Sequence, residues 1–317
     1  HLTEATGLLP QSTDLMTQFQ ARTVAFVGLG LISGSLARAL QSSTWQGKLI
    51  AWGPREASLK RGRALGVVDD YSLVLEEVID QADVIVVGAP PAATASILSE
   101  IIGKLAVTTQ QPIITDLASI KGYVVDSVDH DYPHFVPGHP IAGSEHSGVE
   151  YSDAGLFAGR EVILTPLPHT AATAVAQIEA MWALTGAYIR AMEVQQHDAL
   201  LAASSHMPHV VAYALTRALE RDASDPMIHG GGALRDMTRI AGSDPRMWTD
   251  IAVTNRQALL AAMDQFDAEM TMLRELVDRK DERALEDYFS ICRAHRRDHD
   301  SILNPISETA PEENHEV

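Results

Sequence analysis

TVAFVGLGLISGSLA, residues Thr23–Ala37, decides the fold. Its first five residues are apolar, β-rich and ended by glycine, the pattern of a strand buried on both faces. After Gly28 and Gly30 the segment SGSLARAL continues as a helix. In a G-x-G-x-x-G turn the first glycine permits the sharp bend and the second lets a pyrophosphate approach the backbone. The third lets helix and strand pack closely. Here the small Ser33, followed by Gly34, stands third. Phosphate oxygens would meet the N–H groups of Leu31, Ile32 and Ser33 at the positive end of the helix. A lone G-x-G is weak evidence; its place between a buried strand and a helix is what gives it weight.

Beyond this stretch the strand-like runs KLIAW, ADVIVVGAP and PIITD alternate with the helix-like EASLKRGRAL and AATASILSEIIGKL. This alternation implies right-handed crossovers and a mainly parallel sheet covered on both sides, a Rossmann-type doubly wound α/β domain. HFVPG, REVILTP and AYIRAM carry the strand pattern to about residue 190. From Val194 onward only helical periodicity is found, in HDALLAASSHMPHVVAYALTRALE, in PRMWTDIAVTNRQALLAAMDQFDAEMTMLREL and in ERALEDYFSICRAHRRDHD. The expected organisation is an N-terminal extension (1–20), a dinucleotide-binding domain (21–190), an all-α substrate and dimerisation domain (191–306) and an acidic, disordered tail (307–317). The longest helix is rich in Ala, Leu and Met, which suits either pairing between two subunits or a core of its own.

Composition bounds the function. The chain has 317 residues, 46% of them hydrophobic, and a formal net charge of -18, so non-specific binding to nucleic acid or an anionic membrane is not expected. An anionic ligand must be held by a local cluster of cations. A single cysteine, Cys292, excludes an internal disulfide and a multi-cysteine zinc site. No apolar run is long enough to span a bilayer and no signal-peptide pattern opens the chain, so cytoplasmic residence is expected. The start at His1 suggests a processed or trimmed chain.

The second strand ends in IAWGPREASLKRG. An NAD site places a carboxylate there to accept hydrogen bonds from the ribose hydroxyls, and the same charge repels a 2′-phosphate. This chain has Gly53 instead, followed by Arg55, a forked donor suited to phosphate. NADP is therefore the expected cofactor, with NAD the alternative. Lys60 and Arg63 read as the solvated face of a surface helix.

Three polar clusters fall where loops should gather over the carboxyl edge of the sheet. DLASIKG offers Asp116, Ser119 and Lys121; PGHPIAGSEHSGVE offers His139 and Glu145. From the helical half, SSHMPH offers His206 and His209, and GGGALRDMTRIAGSDPRMW offers Arg235, Asp236, Thr238 and Arg239. Together with GLGLISGSLA these segments resemble the prephenate/arogenate dehydrogenase family of tyrosine biosynthesis, in order and over nearly the whole chain. The H-P-x-x-G-x-E and R-D-x-T-R-I-A segments are the specific ones.

The resemblance implies oxidative decarboxylation of a cyclohexadienyl ring carrying a carboxylate at one end and a hydroxyl at the other, with prephenate or arogenate as substrate, a homodimer, and tyrosine as an inhibitor. It also implies that His139 takes up the hydroxyl proton and that Ser119 orients it and contacts the nicotinamide end. Arg239 would bind the ring carboxylate, Asp236 would hold that arginine, and Glu145, His206 and His209 would shape the site. Histidine suits the proton step because its intrinsic pKa lies near neutrality. Thirteen histidines raise a metal site, but His206 and His209 lack a nearby third carboxylate ligand, so none is expected. Trp248 and Met247 read as core. Two other readings of the same residues stand beside this one. A β-hydroxyacid dehydrogenase of the 6-phosphogluconate type would need a catalytic lysine after the glycine pair, where GGGALRDMTRIAG offers only arginines. A non-catalytic NADP-binding redox sensor would have no need of Ser119, His139 and Arg239 together.

Overall fold

The structure, a computed structural model, describes residues 18–128, 131–143 and 146–303. Strand β1 (Thr23–Val27) leads through the glycine turn into helix α1 (Leu31–Gln41), followed by β2 (Lys48–Trp52), α2 (Glu56–Ala64), β3 (Asp70–Ser72), α3 (Leu75–Ile79), β4 (Val84–Val87), α4 (Pro91–Leu105), β5 (Ile113–Asp116), α5 (Gly122–Asp126) and β6 (Phe135–Val136). The six strands form one parallel sheet in the order β3-β2-β1-β4-β5-β6. This is the strand order of dinucleotide-binding folds, with the chain reversing direction of travel between β1 and β4.

β1 sits at the centre and is buried along almost its whole length because both its faces are covered. Val24 and Phe26 enter one apolar cluster with Leu36, Leu40, Leu59 and Trp182. Ala25 and Val27 enter the other with Ile85, Leu98, Ile101 and Leu105. Alternate side chains of one strand thus nail two helical layers to the sheet.

The expected continuation of this pattern beyond HFVPG differs from what is found. The chain leaves the parallel sheet at Pro137, and β7 (Gly138–Pro140) opens a second sheet with β8 (Glu161–Leu164) and β9 (Tyr188–Ala191), in the order β7-β8-β9. β7 runs antiparallel to β8; β9, reached through helix α6 (Ala172–Ala183), runs parallel to it. A proline between two short runs lets six consecutive residues serve two sheets, and periodicity alone does not reveal that change.

Beyond β9 the described chain is helical: α7 (Val194–Leu201), a π-helical turn over Ala202–His206, α8 (Met207–Glu220), α9 (Gly232–Thr238), α10 (Pro245–Thr254), α11 (Arg256–Arg279), α12 (Glu282–Asp298) and α13 (Asp300–Leu303). Asp244 caps α10 by accepting from the Arg246 N–H, with Pro245 in the first turn, and Asp281 caps α12 by accepting from the Ala284 N–H. Two compact units result, one closing at Leu259 and one from Leu260 onward. In the second, Met270, Met272, Val277, Phe289 and Ile291 are exposed. No helix among the described residues is long and apolar enough to cross a membrane.

Candidate active site

The glycine turn has the geometry of a phosphate cradle. Gly28 adopts φ +95, and a Cβ there would sit 2.2 Å from the carbonyl oxygen of Gly88 at the end of β4, so only glycine fits. A Cβ on Gly30 would meet nothing within 4 Å: the space over the start of α1 is open and a side chain would fill it. α1 has no side-chain cap, and its first intrahelical bond runs from the Gly34 N–H to the Gly30 carbonyl (2.9 Å). The preceding N–H groups of Leu31, Ile32 and Ser33 therefore point outward without an intrahelical acceptor. Ser33 is buried against Gly88, close enough that a Cβ on Gly88 would come within 2.0 Å of its hydroxyl. The residues present fit a dinucleotide pyrophosphate.

At the end of β2, Gly53 is buried, and a Cβ on it would make only ordinary contact with Leu59, at 3.5 Å. Arg55 is exposed and enters no ion pair among the described residues, whereas Lys60 is taken by Glu56 (3.0 Å) and Arg63 by Asp70 (3.7 Å).

At the carboxyl ends of β5 and β6 lies a buried polar junction. The Asp116 carboxylate accepts from the N–H groups of Ala118 (3.0 Å) and Gly138 (3.2 Å) and is paired with Lys121, whose ammonium also donates to the Gly138 carbonyl. Both charged side chains are fully buried. Burial pulls Lys121 below the ordinary lysine value, opposed by Asp116. Such a pair is weak evidence for stability, but it clamps the backbone on which His139 sits.

His139 is itself buried in β7, opposite Ile163 of β8. Its Nδ1 lies 2.9 Å from Nε2 of His197, and Nδ1 of His197 lies 2.8 Å from the Asp198 carboxylate. Asp198 also accepts from the N–H groups of Lys121 (2.8 Å) and Gly122 (2.7 Å). Burial, with the neighbouring His197 and Lys121 adding to it, holds His139 well below the usual histidine value, and burial lowers His197 too. Burial alone would raise Asp198, but the bonds from His197, Lys121 and Gly122 outweigh it and keep the acid ionised. Asn255 closes the group, donating to the Asp198 carbonyl and lying 3.0 Å from Nδ1 of His206. Burial pushes His206 down to about 4.

His209 stacks on Trp248 with ring centroids 3.6 Å apart and an interplanar angle of 17°, and His206 meets the same indole edge-on at 6.1 Å, so the two histidines do share a side. Burial lowers His209, and the nearby charge of Arg239 lowers it further.

Some expected partnerships differ. Ser119 is half-buried but makes no hydrogen bond to His139; the side chain within bonding distance of that ring is His197. Asp236 pairs with its neighbour Arg235 at 3.3 Å rather than with Arg239, which is exposed and enters no ion pair among the described residues. Met247 is exposed rather than core. Glu145 lies outside the described residues. His197, Asp198 and Asn255 join the cluster without a motif in the sequence to mark them, the H-D dipeptide opening HDALLAASSHMPH being the one signal there. Among the described residues no group of three or more His, Cys, Asp or Glu side chains is arranged to hold a metal ion.

A family profile described as prephenate dehydrogenase, nucleotide-binding domain, matches residues 36–191, and one described as prephenate dehydrogenase, dimerization domain, matches 193–291. The chain belongs to the prephenate dehydrogenase family. Cyclohexadienyl dehydrogenase of Zymomonas mobilis is 34% identical over 86% of this chain and 94% of its own length. Prephenate dehydrogenase of Bacillus subtilis is 32% identical over 86% of this chain and 75% of its own. Among solved structures, a prephenate dehydrogenase of Aquifex aeolicus in complex with hydroxyphenyl propionate and NAD+ superposes with a TM-score of 0.81 at 32% identity, covering 87% of this chain and 98% of that one. As a member of the prephenate dehydrogenase family, this chain is an NAD(P)-dependent oxidoreductase of tyrosine biosynthesis that couples oxidation to decarboxylation.

Proposed function

We propose that the chain oxidatively decarboxylates prephenate or arogenate, with NADP preferred over NAD and His139 as proton acceptor. The observation that carries this reading is the setting of His139: buried, held by that burial well below the usual histidine value, and engaged at Nδ1, so that Nε2 is the ring nitrogen left to meet a substrate. Bound over the glycine turn, NAD(P) supplies the hydride acceptor. The chain's own residues do the rest. His139 takes the proton of the ring hydroxyl as its carbon becomes a carbonyl, and the departing carbon dioxide leaves an aromatic phenol, so no covalent nucleophile is needed. Exposed and without an ion pair among the described residues, Arg239 beside His209 suits the ring carboxylate. Ser119, with no bond to His139, is assigned to the nicotinamide end. His206, His209 and Glu145 shape the substrate's surroundings, and Asp236, paired with Arg235, is a further substrate-site residue.

Gly53 and Arg55 support the cofactor preference, because the first removes a repelling carboxylate and the second offers an exposed cation with no ion pair among the described residues. The Aquifex relative solved with NAD+ supports dinucleotide binding at the glycine turn. The 191–306 segment is read as the substrate and dimerisation domain, and the exposed Met270, Met272, Val277, Phe289 and Ile291 support its being covered by a second copy.

The test is an assay with prephenate or arogenate and each cofactor, following reduced-nicotinamide absorbance. Reduction with NADP at a lower KM than with NAD is expected. No reduction with either substrate by folded protein would overturn the activity, and a lower KM for NAD would overturn the cofactor preference alone.

A further inference from the structure

We infer that His197 and Asp198 form a buried relay that fixes the tautomer of His139, so that its Nε2 meets the substrate hydroxyl as a lone pair; both are positioning residues. The inference rests on the proton-acceptor role proposed for His139. It follows from which atoms own hydrogens. An ionised carboxylate has none to give, so the His197 Nδ1 lying 2.8 Å from Asp198 must carry one. A neutral His197 then has its lone pair on Nε2, 2.9 Å from Nδ1 of His139. Two lone pairs do not bond, so the His139 Nδ1 carries the hydrogen and donates it. The lone pair of His139 is left on Nε2.

The reverse polarity would require either a second proton on His197, which burial of that ring disfavours, or a proton on Asp198. Its two oxygens already accept backbone N–H groups, from Lys121 and Gly122, which favour the charged acid. Water cannot scramble the arrangement, since His197 is wholly buried and His139 and Asp198 are each 9% exposed. Lys121, in the loop after β5, and Gly122, the first residue of α5, follow Ser119, whereas His197 and Asp198 belong to α7, so these two backbone N–H groups set the direction of every hydrogen bond in the series.

During turnover the O–H bond of the substrate breaks and an N–H bond forms at Nε2 of His139. The hydrogen on Nδ1 stays where it is. The resulting imidazolium is met by the His197 lone pair and, one ring further, by the Asp198 carboxylate, and no proton leaves the series.

Three measurements on the full chain test this. Asp198→Asn offers His197 an amide donor and so permits the reversed polarity. Its kcat is expected to fall by on the order of 10²–10⁴, as when a triad histidine is left in the wrong tautomer, with the KM for NADP nearly unchanged. His197→Gln keeps an oxygen facing His139 and should retain at least roughly tenfold more kcat than His197→Leu, whereas a packing role would favour leucine or leave the two equal. In long-range ¹⁵N–¹H spectra of ¹⁵N-histidine protein, with His139 assigned by the signals lost in His139→Asn, the wild type should show hydrogen on Nδ1. That pattern should be lost in Asp198→Asn. If Asp198→Asn does not fold, the His197 pair and the wild-type spectrum decide. Near-wild-type kcat in Asp198→Asn, equal Gln and Leu variants, or hydrogen on Nε2 in the wild type would each overturn the relay and leave the role of His139 standing. Near-wild-type turnover by His139→Asn would overturn that role, and the relay with it.

Discussion

Around His139 the charged and polar side chains are buried and bonded to one another; at Arg55 and Arg239 the cations stand exposed with no ion pair among the described residues. The contrast separates two tasks. A proton acceptor must be aimed before substrate arrives, because reorganising buried dipoles during the reaction would add to the barrier. A group that binds an anion should lack an internal partner, since an arginine already paired would have to give up that bond first. Lys60 and Arg63, each paired with an acid, show what cations outside the second task look like.

The difference can be broken most severely at His139. His139→Asn removes the imidazole proposed as proton acceptor and should lower kcat by on the order of 10²–10⁴ with NADP affinity retained. Isothermal titration with NADP beside steady-state rates checks it, and collapse of cofactor affinity would mean that the residue belongs to binding instead.

A second cost of the buried region appears on acidification. His206 is held at about 4 in the fold against an ordinary value near 6.5, so between those two values the unfolded chain binds the extra proton and the folded one does not. Stability should therefore fall as pH is lowered from about 6.5 toward 4, by about 3 kcal/mol for this residue, and be unaffected by it above 6.5. Urea midpoints across that range should decline less steeply in His206→Gln than in the wild type; parallel curves would contradict the assignment.

On the exposed side, Arg239→Ala should raise the substrate KM roughly 10- to 100-fold through loss of a charge-assisted bond, with less effect on kcat. An unchanged KM would place the ring carboxylate elsewhere. The smallest effect belongs to Arg55→Ala, expected to weaken NADP about tenfold while leaving NAD nearly unchanged. Gly53→Asp should shift preference the same way, because the added Cβ meets only Leu59 at van der Waals distance and the fold should tolerate it. Equal losses for both cofactors in either variant would show that this corner does not read the 2′-phosphate.

The fold was legible where burial writes long signals. An apolar run closed by Gly28 and the strand–helix alternation after it announce the sheet because a central parallel strand has two covered faces. β3, α3 and α5 went unseen because three to five residues are too few to show a period. The second sheet was hidden for another reason, since the antiparallel pairing of β7 with β8 joins Gly138 to Leu164 across a long loop. At the site, histidine and arginine positions were visible as types within motifs, but partnerships were not. His197 and Asp198 look like the polar first turn of a helix until the chain brings them to a ring 58 residues earlier. Asp236 illustrates the opposite error, a motif neighbour credited with Arg239 when Arg235 is closer at hand.

The π-helical turn at Ala202–His206 acts as a phase shifter. An α-helix advances about 100° per residue, so widening one turn alters which compass direction every later side chain faces. With the turn in place His197 looks toward His139, while His206 and His209 look toward Asn255 and Trp248. Deleting a single residue there would leave a smoother helix and turn both later histidines away from their neighbours, so a loss of function could arise with every side chain discussed above still present in the sequence.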